Sequence, residues 1–285
     1  MSEEKIFGLI GEHIQHSLSP AIHNHAFQKI GLNAHYILLD TPKNKLIKTI
    51  ELIRQTPVTG GNVTIPFKTE IINHLDQLDP SAQTVAAVNT FVNEKGKLTG
   101  YNTDGLGAIK AIQTKLNPKN KVITILGCGG AGKAIAHSLQ LAGVSKINLM
   151  DLNKTKACEL AKKLEEHSKH KQITVVINTE QELLNELKKT DILINCSPIG
   201  MSPNADDSPI SKQLLHSSLT VLDIVYNPIQ TKLITDAKKL GCTVITGEKM
   251  LFEQALASFE IFTGKKAPRL EMLQALETEL KRNGN

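Results

Sequence analysis

Two hydrophobic periods alternate along the chain. Short, nearly unbroken apolar runs read as buried strands, and longer segments with apolar residues three or four apart read as helices. In the front half, 6–10 reads as a strand and 21–30 as a helix, with Pro20 in its first turn and Gly31 stopping it. Residues 35–39 form the next strand and 46–53 the next helix, apolar at 46, 47, 50 and 53. A short strand at 62–65 follows, and Pro66 opens a helix carrying Lys68 in its first turn. The runs 90–92 and 97–99 flank Glu94-Lys95-Gly96, a hairpin signal. A helix at 105–115 then ends before the breaker Asn117-Pro118-Lys119-Asn120.

From Lys121 the spacing becomes regular. Strands are expected at 122–126, 146–150, 173–177, 192–194, 221–223 and 243–245. Helices are expected at 130–141, 155–164, 251–262 and 270–280, and one more follows the capping box Thr179-x-x-Glu182. Almost wholly apolar strands separated by helices predict a parallel sheet covered on both faces.

Composition narrows the class. At 285 residues the chain suggests about two domains, and 40% hydrophobic residues exclude disorder and collagen-like repeats. The formal charge is +5, but the lysines are scattered. Their richest run, residues 162–171, alternates with Glu165, Glu166 and histidines as a solvated helix face does, which argues against a nucleic-acid partner. The absence of an 18-residue apolar stretch argues against a membrane span, and the N-terminus carries no signal-peptide core. Cys128, Cys158, Cys196 and Cys242 are dispersed without a C-x-x-C pair, as expected of reduced thiols in a cytoplasmic protein. His13, His16, His23 and His25 could suggest a metal cluster, but His23 and His25, two apart, face different sides of a helix, so helix-terminal polar contacts or surface positions are expected and no metal.

The sharpest motif is Gly127-Cys128-Gly129-Gly130-Ala131-Gly132, G-x-G-x-x-G between a strand and a helix. Gly127 suits the tight turn, Gly129 admits a pyrophosphate to the backbone, and Gly132 lets helix and strand close together. The helix N-terminus offers N–H groups and a positive dipole end to phosphate. Asp151, at the end of the next strand, can accept from both ribose hydroxyls, or can simply cap the following helix. A 2′-phosphate would meet a like charge there, although Lys154 and Lys156 are near in sequence. The same residues almost spell the phosphate loop of nucleoside triphosphatases, but Ala134 follows Lys133 where a hydroxyl is needed for Mg²⁺.

Polar residues of the front half sit at strand-to-helix turns. Ser17 and Ser19 precede a helix and can receive a carboxylate, or Ser19 can serve as an ordinary cap. Lys68 at a helix start opposes the dipole, which hints at a role, with a solvated surface lysine as the alternative. Asn89 and Asp104 add an amide and a carboxylate at further turns, and Asp104 can also cap its own helix.

Together these segments resemble the shikimate dehydrogenase (shikimate/quinate dehydrogenase) family over nearly the whole chain. The colinear set is His16-Ser17-Leu18-Ser19-Pro20, Gly61-Asn62-Val63-Thr64 with Pro66 and Lys68, Ala87-Val88-Asn89-Thr90 and Gly100-x-Asn102-Thr103-Asp104-Gly105. It continues through the glycine loop, Asn195-Cys196-Ser197-Pro198-x-Gly200-Met201, Asp223-x-x-Tyr226-Asn227-Pro228, and Met250-Leu251 with Gln254 and Ser258-Phe259. The resemblance implies reversible reduction of 3-dehydroshikimate to shikimate with a nicotinamide cofactor, in aromatic amino-acid biosynthesis. It implies an N-terminal α/β substrate domain, 1–104 completed by helices 250–285, and a Rossmann-type doubly wound parallel sheet, 105–249. The active site would lie in the cleft between these two α/β domains, with hinges near Asp104 and Gly247. Lys68 and Asp104 are the expected catalytic pair. Ser17 and Ser19, with Tyr226, would hold the substrate carboxylate, and Thr64, Lys68, Asn89, Asp104 and Gln254 would contact its ring hydroxyls. Gly127, Cys128, Gly129, Gly130, Ala131, Gly132, Asp151, Leu152, Asn153 and Lys156 would hold the cofactor, with Ile224, Gly247 and Met250 at its nicotinamide end. The chain would act as a monomer or homodimer. A nucleotide-binding sensor that lost the chemistry is the non-enzyme alternative, which intact Lys68 and Asp104 disfavour.

One departure stands out. Many members carry Asn-Arg-Ser/Thr after the second Rossmann strand, the arginine clamping the 2′-phosphate of NADP. Here the stretch is Asp151-Leu152-Asn153. Leu152 cannot clamp a phosphate and Asp151 suits an unphosphorylated ribose, so NAD is expected to be preferred or well used, against the family's usual NADP. The same pattern resembles the NAD-linked quinate/shikimate branch, which leaves quinate as an alternative substrate. The expectation is checked by steady-state kinetics with shikimate and quinate against each cofactor. Catalytic efficiency with NADH should equal or exceed that with NADPH or fall short of it by less than about tenfold, a gap of roughly 1.4 kcal/mol, and a preference for NADPH of tenfold or more rejects it.

Overall fold

A computed structural model describes residues 4–166, 172–176 and 180–282. The chain divides into two compact units, residues 1–103 with 254–285, and residues 104–253. The first begins with β1 (Lys5–Gly11), α1 (Ser19–Lys29), β2 (Ala34–Asp40), α2 (Leu46–Gln55) and β3 (Val58–Val63). It continues with β4 (Gln77–Leu78), α3 (Pro80–Val85), β5 (Thr90–Glu94) and β6 (Lys97–Tyr101). The second holds α4 (Asp104–Gln113), β7 (Val122–Leu126), α5 (Gly130–Leu141), β8 (Lys146–Met150), α6 (Lys154–Glu166) and β9 (Gln172–Val175). Then come α7 (Glu180–Leu187), β10 (Ile192–Asn195), β11 (Thr220–Asp223), α8 (Lys232–Lys239) and β12 (Thr243–Ile245). Helix α9 (Gly247–Thr263) runs across the boundary, and α10 (Arg269–Arg282) ends the first unit.

The sheet of the second unit has the order β12-β11-β10-β7-β8-β9, every neighbouring pair parallel. Numbered from β7, this is the doubly wound 3-2-1-4-5-6 order, whose direction reverses between β7 and β10. Ile123, Ile125, Ile147, Leu149, Ile192 and Ile194 are fully buried in one of its cores. Strands covered on both faces have no polar face to show, so their apolar runs are interrupted only by buried polar residues such as Thr124 and Asn148, the Asn148 amide donating to the Thr124 hydroxyl at 3.3 Å. The expected strand end at Ile177 and the cap Thr179 lie outside the described residues.

The sheet of the first unit is mixed, in the order β2-β1-β3-β5-β6-β4. Strands β5 and β6 are joined by Lys95-Gly96, both at positive φ (54° and 88°), as a two-residue hairpin turn demands. Arg54 ties this hairpin to its surroundings. Its guanidinium donates to Asp76 at 2.6 Å, to the His74 carbonyl at 2.8 Å and to the Gly96 carbonyl. Asp76 also accepts the Leu98 N–H at 2.7 Å, and the Arg54 bond together with this one holds its carboxyl below the usual carboxylate range.

Two front-half expectations are corrected. The strand expected at 62–65 starts four residues earlier and stops at Val63. The helix expected after Pro66 does not form. Residues 65–69 are turns, followed by a 3₁₀ helix at Glu70–His74. The Lys68 carbonyl, which a continuing helix would use, instead accepts from the Val88 N–H at 2.7 Å. The dipole argument for Lys68 therefore lapses. Among the described residues, no helix is long and apolar enough to cross a membrane.

His23 of α1 is buried in an aromatic cluster. Its ring stacks on Tyr36 at 4.6 Å between centroids and lies near Phe259 and Phe262 at 6.2 and 5.2 Å. Its Nδ1 has no hydrogen-bond partner. Burial pushes its pKa down to about 3, so the native state keeps the ring neutral while the unfolded chain protonates it near its ordinary value of 6.5. The unfolded state then binds more protons between these values, and stability contributed by neutral His23 is lost as pH falls below 6.5. Urea unfolding should lose about 1.4 kcal/mol per pH unit from this group over that window. His23→Phe should flatten that slope, and an unchanged slope would rule His23 out as its source.

Candidate active site

Buried amides and hydroxyls form one connected cluster in the first unit. Asn62, on β3, accepts from the Tyr36 phenol at 2.7 Å and donates toward the Asn89 carbonyl, Thr90 Oγ1 and Ser258 Oγ at 3.0–3.1 Å. Asn89, just before β5, donates to Thr103 Oγ1 at 2.8 Å and Gln254 Oε1 at 3.2 Å, while its Oδ1 accepts from the Thr103 N–H at 2.8 Å. Ser258 lies 2.7 Å from Thr90 Oγ1 and 3.0 Å from Thr103 Oγ1. Asn62, Asn89, Thr90, Thr103 and Ser258 are all buried, so each must find a partner inside the protein. The half-buried Gln254 stands on α9 one turn before Ser258.

The other expected substrate contacts are placed as follows. Ser19 is buried and opens α1, but no side chain caps that helix. Instead Ser17 Oγ accepts from the Ser19 N–H at 3.3 Å, and the Ser19 hydroxyl bonds the Tyr36 phenol. Thr64 and Lys68 are half-buried on the segment that leaves β3. Asp104 is buried at the first position of α4, and Tyr226 follows β11. Burial pushes the Tyr226 phenol up. The first unit also carries a recess of about 360 Å³, lined by Arg54, Asp76 and neighbours and by none of these residues.

The second unit presents the glycine loop at the switch point of its sheet. Gly127 is at φ +97°, and a side chain there would press on the backbone of Cys196 and Ser197 after β10. A methyl group at Gly132 would overlap the Gly127 carbonyl oxygen, which is the close helix–strand approach that the motif implies. Gly129 has open space instead, so the backbone can be reached from outside. Asp151 closes the loop. Its Oδ2 accepts from the Cys128 N–H at 2.7 Å and its Oδ1 from the Asn153 N–H at 2.8 Å. Leu152 is 80% exposed. These residues fit a dinucleotide: free helix-terminal N–H groups, an approachable backbone and a fixed carboxylate at the ribose end.

The residues expected at the nicotinamide end also come together. A side chain at Gly247 would overlap the carbonyls of Ile224 and Val225, and Ile224 packs on the same core as Met250. Beneath them Asp223 accepts from Asn195 Nδ2 at 2.9 Å, the Val225 N–H at 3.0 Å and the Thr231 hydroxyl at 2.7 Å. Burial raises its pKa to about 6 against the pull of those donors. Thr103, Ser258, Asn195 and Asp223 stand in the sequence motifs without an assigned task. A polar residue within or ending an apolar run, as Ser258 is between Ala257 and Phe259, is the signal that marks Ser258, Asn195 and Asp223, whereas Thr103 stands among polar residues and carries no such signal. Among the described residues no group of His, Cys, Asp or Glu is placed to hold a metal ion.

Three family models match consecutive parts of the chain: a shikimate dehydrogenase substrate binding domain at residues 9–91, a saccharopine dehydrogenase NADP binding domain at 123–246, and a shikimate 5′-dehydrogenase C-terminal domain at 247–277. A Methanopyrus kandleri protein named shikimate dehydrogenase (NADP(+)) is 36% identical over 283 residues, covering 98% of this chain and 97% of that one. A solved shikimate dehydrogenase in complex with NADP+ superposes with a TM-score of 0.89 at 36% identity, over 98% of this chain and 97% of the other. Shikimate 5-dehydrogenase from Listeria monocytogenes, in complex with shikimate and NAD, gives 0.85 at 34% identity over 97% of each. With such identity maintained from end to end, through both units, the chain belongs to the shikimate dehydrogenase family.

Proposed function

We propose that this chain is a shikimate dehydrogenase that reversibly reduces 3-dehydroshikimate to shikimate with NAD(P)H, in the biosynthetic route to chorismate and the aromatic amino acids. The observation that carries the reading is the amide and hydroxyl cluster around Asn89, in a chain whose other unit has the dinucleotide-binding sheet and loop. Residues 1–104 with 250–285 serve the substrate in this reading, and 105–249 the cofactor. Naming of the relatives as shikimate dehydrogenases favours shikimate over quinate. Dispersed free cysteines fit a cytoplasmic site of action.

The residue types suit the task. Ser17 and Ser19 offer hydroxyls to the substrate carboxylate, aided by Tyr226. Thr64, Asn89, Asp104 and Gln254 orient the ring through its hydroxyls. Asn89 and Gln254 already share hydrogen bonds with Thr103, so their amides are held in place before substrate arrives. The bound nicotinamide supplies the hydride. As negative charge grows on the ketone oxygen, the Lys68 ammonium donates its proton to it, and in reverse the amine takes the alcohol proton. Asp104 is the second member of the catalytic pair in this reading. Lys68→Ala should therefore lower kcat by about a thousandfold or more, in line with loss of a general acid, while KM for shikimate stays within about tenfold. Turnover near that of the unaltered enzyme would reject the role.

A further inference from the structure

Strands β10 and β11 each end in a buried polar residue, and the two are bonded to each other. Asn195 closes β10 and Asp223 closes β11, both fully buried. The Asn195 amide donates to Asp223 Oδ1 at 2.9 Å. Each residue also fastens the loop that leaves its own strand. Asn195 Oδ1 accepts from the Ser197 N–H at 3.0 Å and from the Ser197 hydroxyl at 2.7 Å. Asp223 Oδ2 accepts from the Thr231 hydroxyl at 2.7 Å. Its Oδ1 accepts from the Val225 N–H at 3.0 Å, two residues along the chain, which makes an Asx turn. Stability alone does not ask for a carboxylate in such a place. Burial of a charge is costly, and an apolar residue of similar volume often serves as well.

What the carboxylate fixes is the direction of one peptide. The Val225 N–H belongs to the same planar amide as the Ile224 carbonyl, and across a trans amide the two point opposite ways. Holding the N–H on Asp223 therefore turns the Ile224 carbonyl away from it. Ile224 is pinned on its other side too, its N–H donating to the Asn195 carbonyl at 3.1 Å. The Ile224 carbonyl lies against Gly247 at the start of α9, where a methyl group would stand 2.6 Å from its oxygen. Glycine at 247 thus spares that oxygen a covering side chain. Ile224 and Gly247 are two of the three residues expected at the nicotinamide end, and a carbonyl oxygen is the acceptor that a carboxamide NH2 calls for.

We propose that Asp223 is a positioning residue for the nicotinamide: through the Val225 N–H it aims the Ile224 carbonyl, which receives the carboxamide of the ring. Asp223 itself touches neither cofactor nor substrate. The inference rests on the reading of 105–249 as the cofactor unit, and binding rather than turnover tests it. The full chain is titrated by calorimetry with NADH and with ADP-ribose, which lacks the nicotinamide, and again with the 2′-phosphorylated pair. Saturating shikimate is present throughout, and a reduced cofactor cannot oxidise it. The ratio of the two affinities in each pair isolates the nicotinamide end. In Asp223→Ala the advantage of the reduced cofactor over its ADP-ribose should fall by about tenfold, while ADP-ribose itself binds within about threefold of the unaltered chain. Asp223→Leu fills the same space without the acceptor and should behave alike. Asp223→Asn keeps an oxygen for the Val225 N–H and should hold the ratio within about threefold of its unaltered value. Thr190→Val removes another buried hydroxyl of this unit, bonded to Thr124 at 2.7 Å, and should leave the ratio unchanged. Equal losses for NADH and ADP-ribose, an unchanged ratio in Asp223→Ala and Asp223→Leu, or a loss in Asp223→Asn as large as theirs would overturn the proposal alone. So would failure of both the alanine and the leucine variant to fold, because Asp223 would then serve the fold and not the ring. Failure of the unaltered chain to bind either dinucleotide would overturn the cofactor reading and the proposal with it.

Discussion

Buried amides and hydroxyls that have only each other to bond are the constraint on which the first unit depends. Asn62, Asn89, Thr90, Thr103 and Ser258 are removed from water, and leaving any one of them unpartnered costs about 1–3 kcal/mol. They come from β3, the start of β5, the approach to α4 and the middle of α9. Their mutual satisfaction therefore fixes the distance of α9 from the sheet more tightly than apolar packing would, since a hydrogen bond fails over a fraction of an ångström. Gln254 inherits this placement because it shares both helix and partners with Ser258. Orientation of a polyhydroxylated ring calls for amides held in advance in this way.

In the second unit the corresponding constraint is steric. Gly132 and Gly127 approach so closely that neither admits a side chain, and Asp151 then ties the loop to the end of β8. Loop shape is thus set by backbone contacts, while the identity of the surrounding side chains remains adjustable. Exposed side chains beside the loop, such as Leu152, can therefore change without altering the backbone that shapes it.

Legibility in the sequence follows the same division. Strands at 122–126 and 146–150 match their expected boundaries because four of the five residues in each are buried and most are apolar. The start of β3 was hidden. Val58-Thr59-Gly60-Gly61 carries little apolar signal, because its glycines lie against the Gly8 and Phe91 backbones, where side chains would not fit. Strand β4, with two residues, is too short to have a period. Pro66 so often opens a helix that the sequence places Lys68 on one; a long-range bond from Val88 claims its carbonyl instead, and no local pattern announces that. Among the site residues, the glycine loop and Asp151 were readable from spacing. Asn89 is visible in the sequence as an amide at a turn and Gln254 only through resemblance, since their meeting across 165 positions is a tertiary fact.

The tight turn at Lys95-Gly96 has a consequence for how this chain can change length. Side chains along a strand alternate between faces, so one residue gained or lost within a paired strand turns every later side chain over. Strand β5 starts at Thr90, whose hydroxyl must face Ser258, and its partner β6 pairs Tyr101 opposite it. Two residues leave no slack to absorb an insertion, and Arg54 grips the turn at the Gly96 carbonyl. Drift in loop length over evolutionary time is therefore barred from this hairpin and must be accommodated at connections whose ends bear no such register.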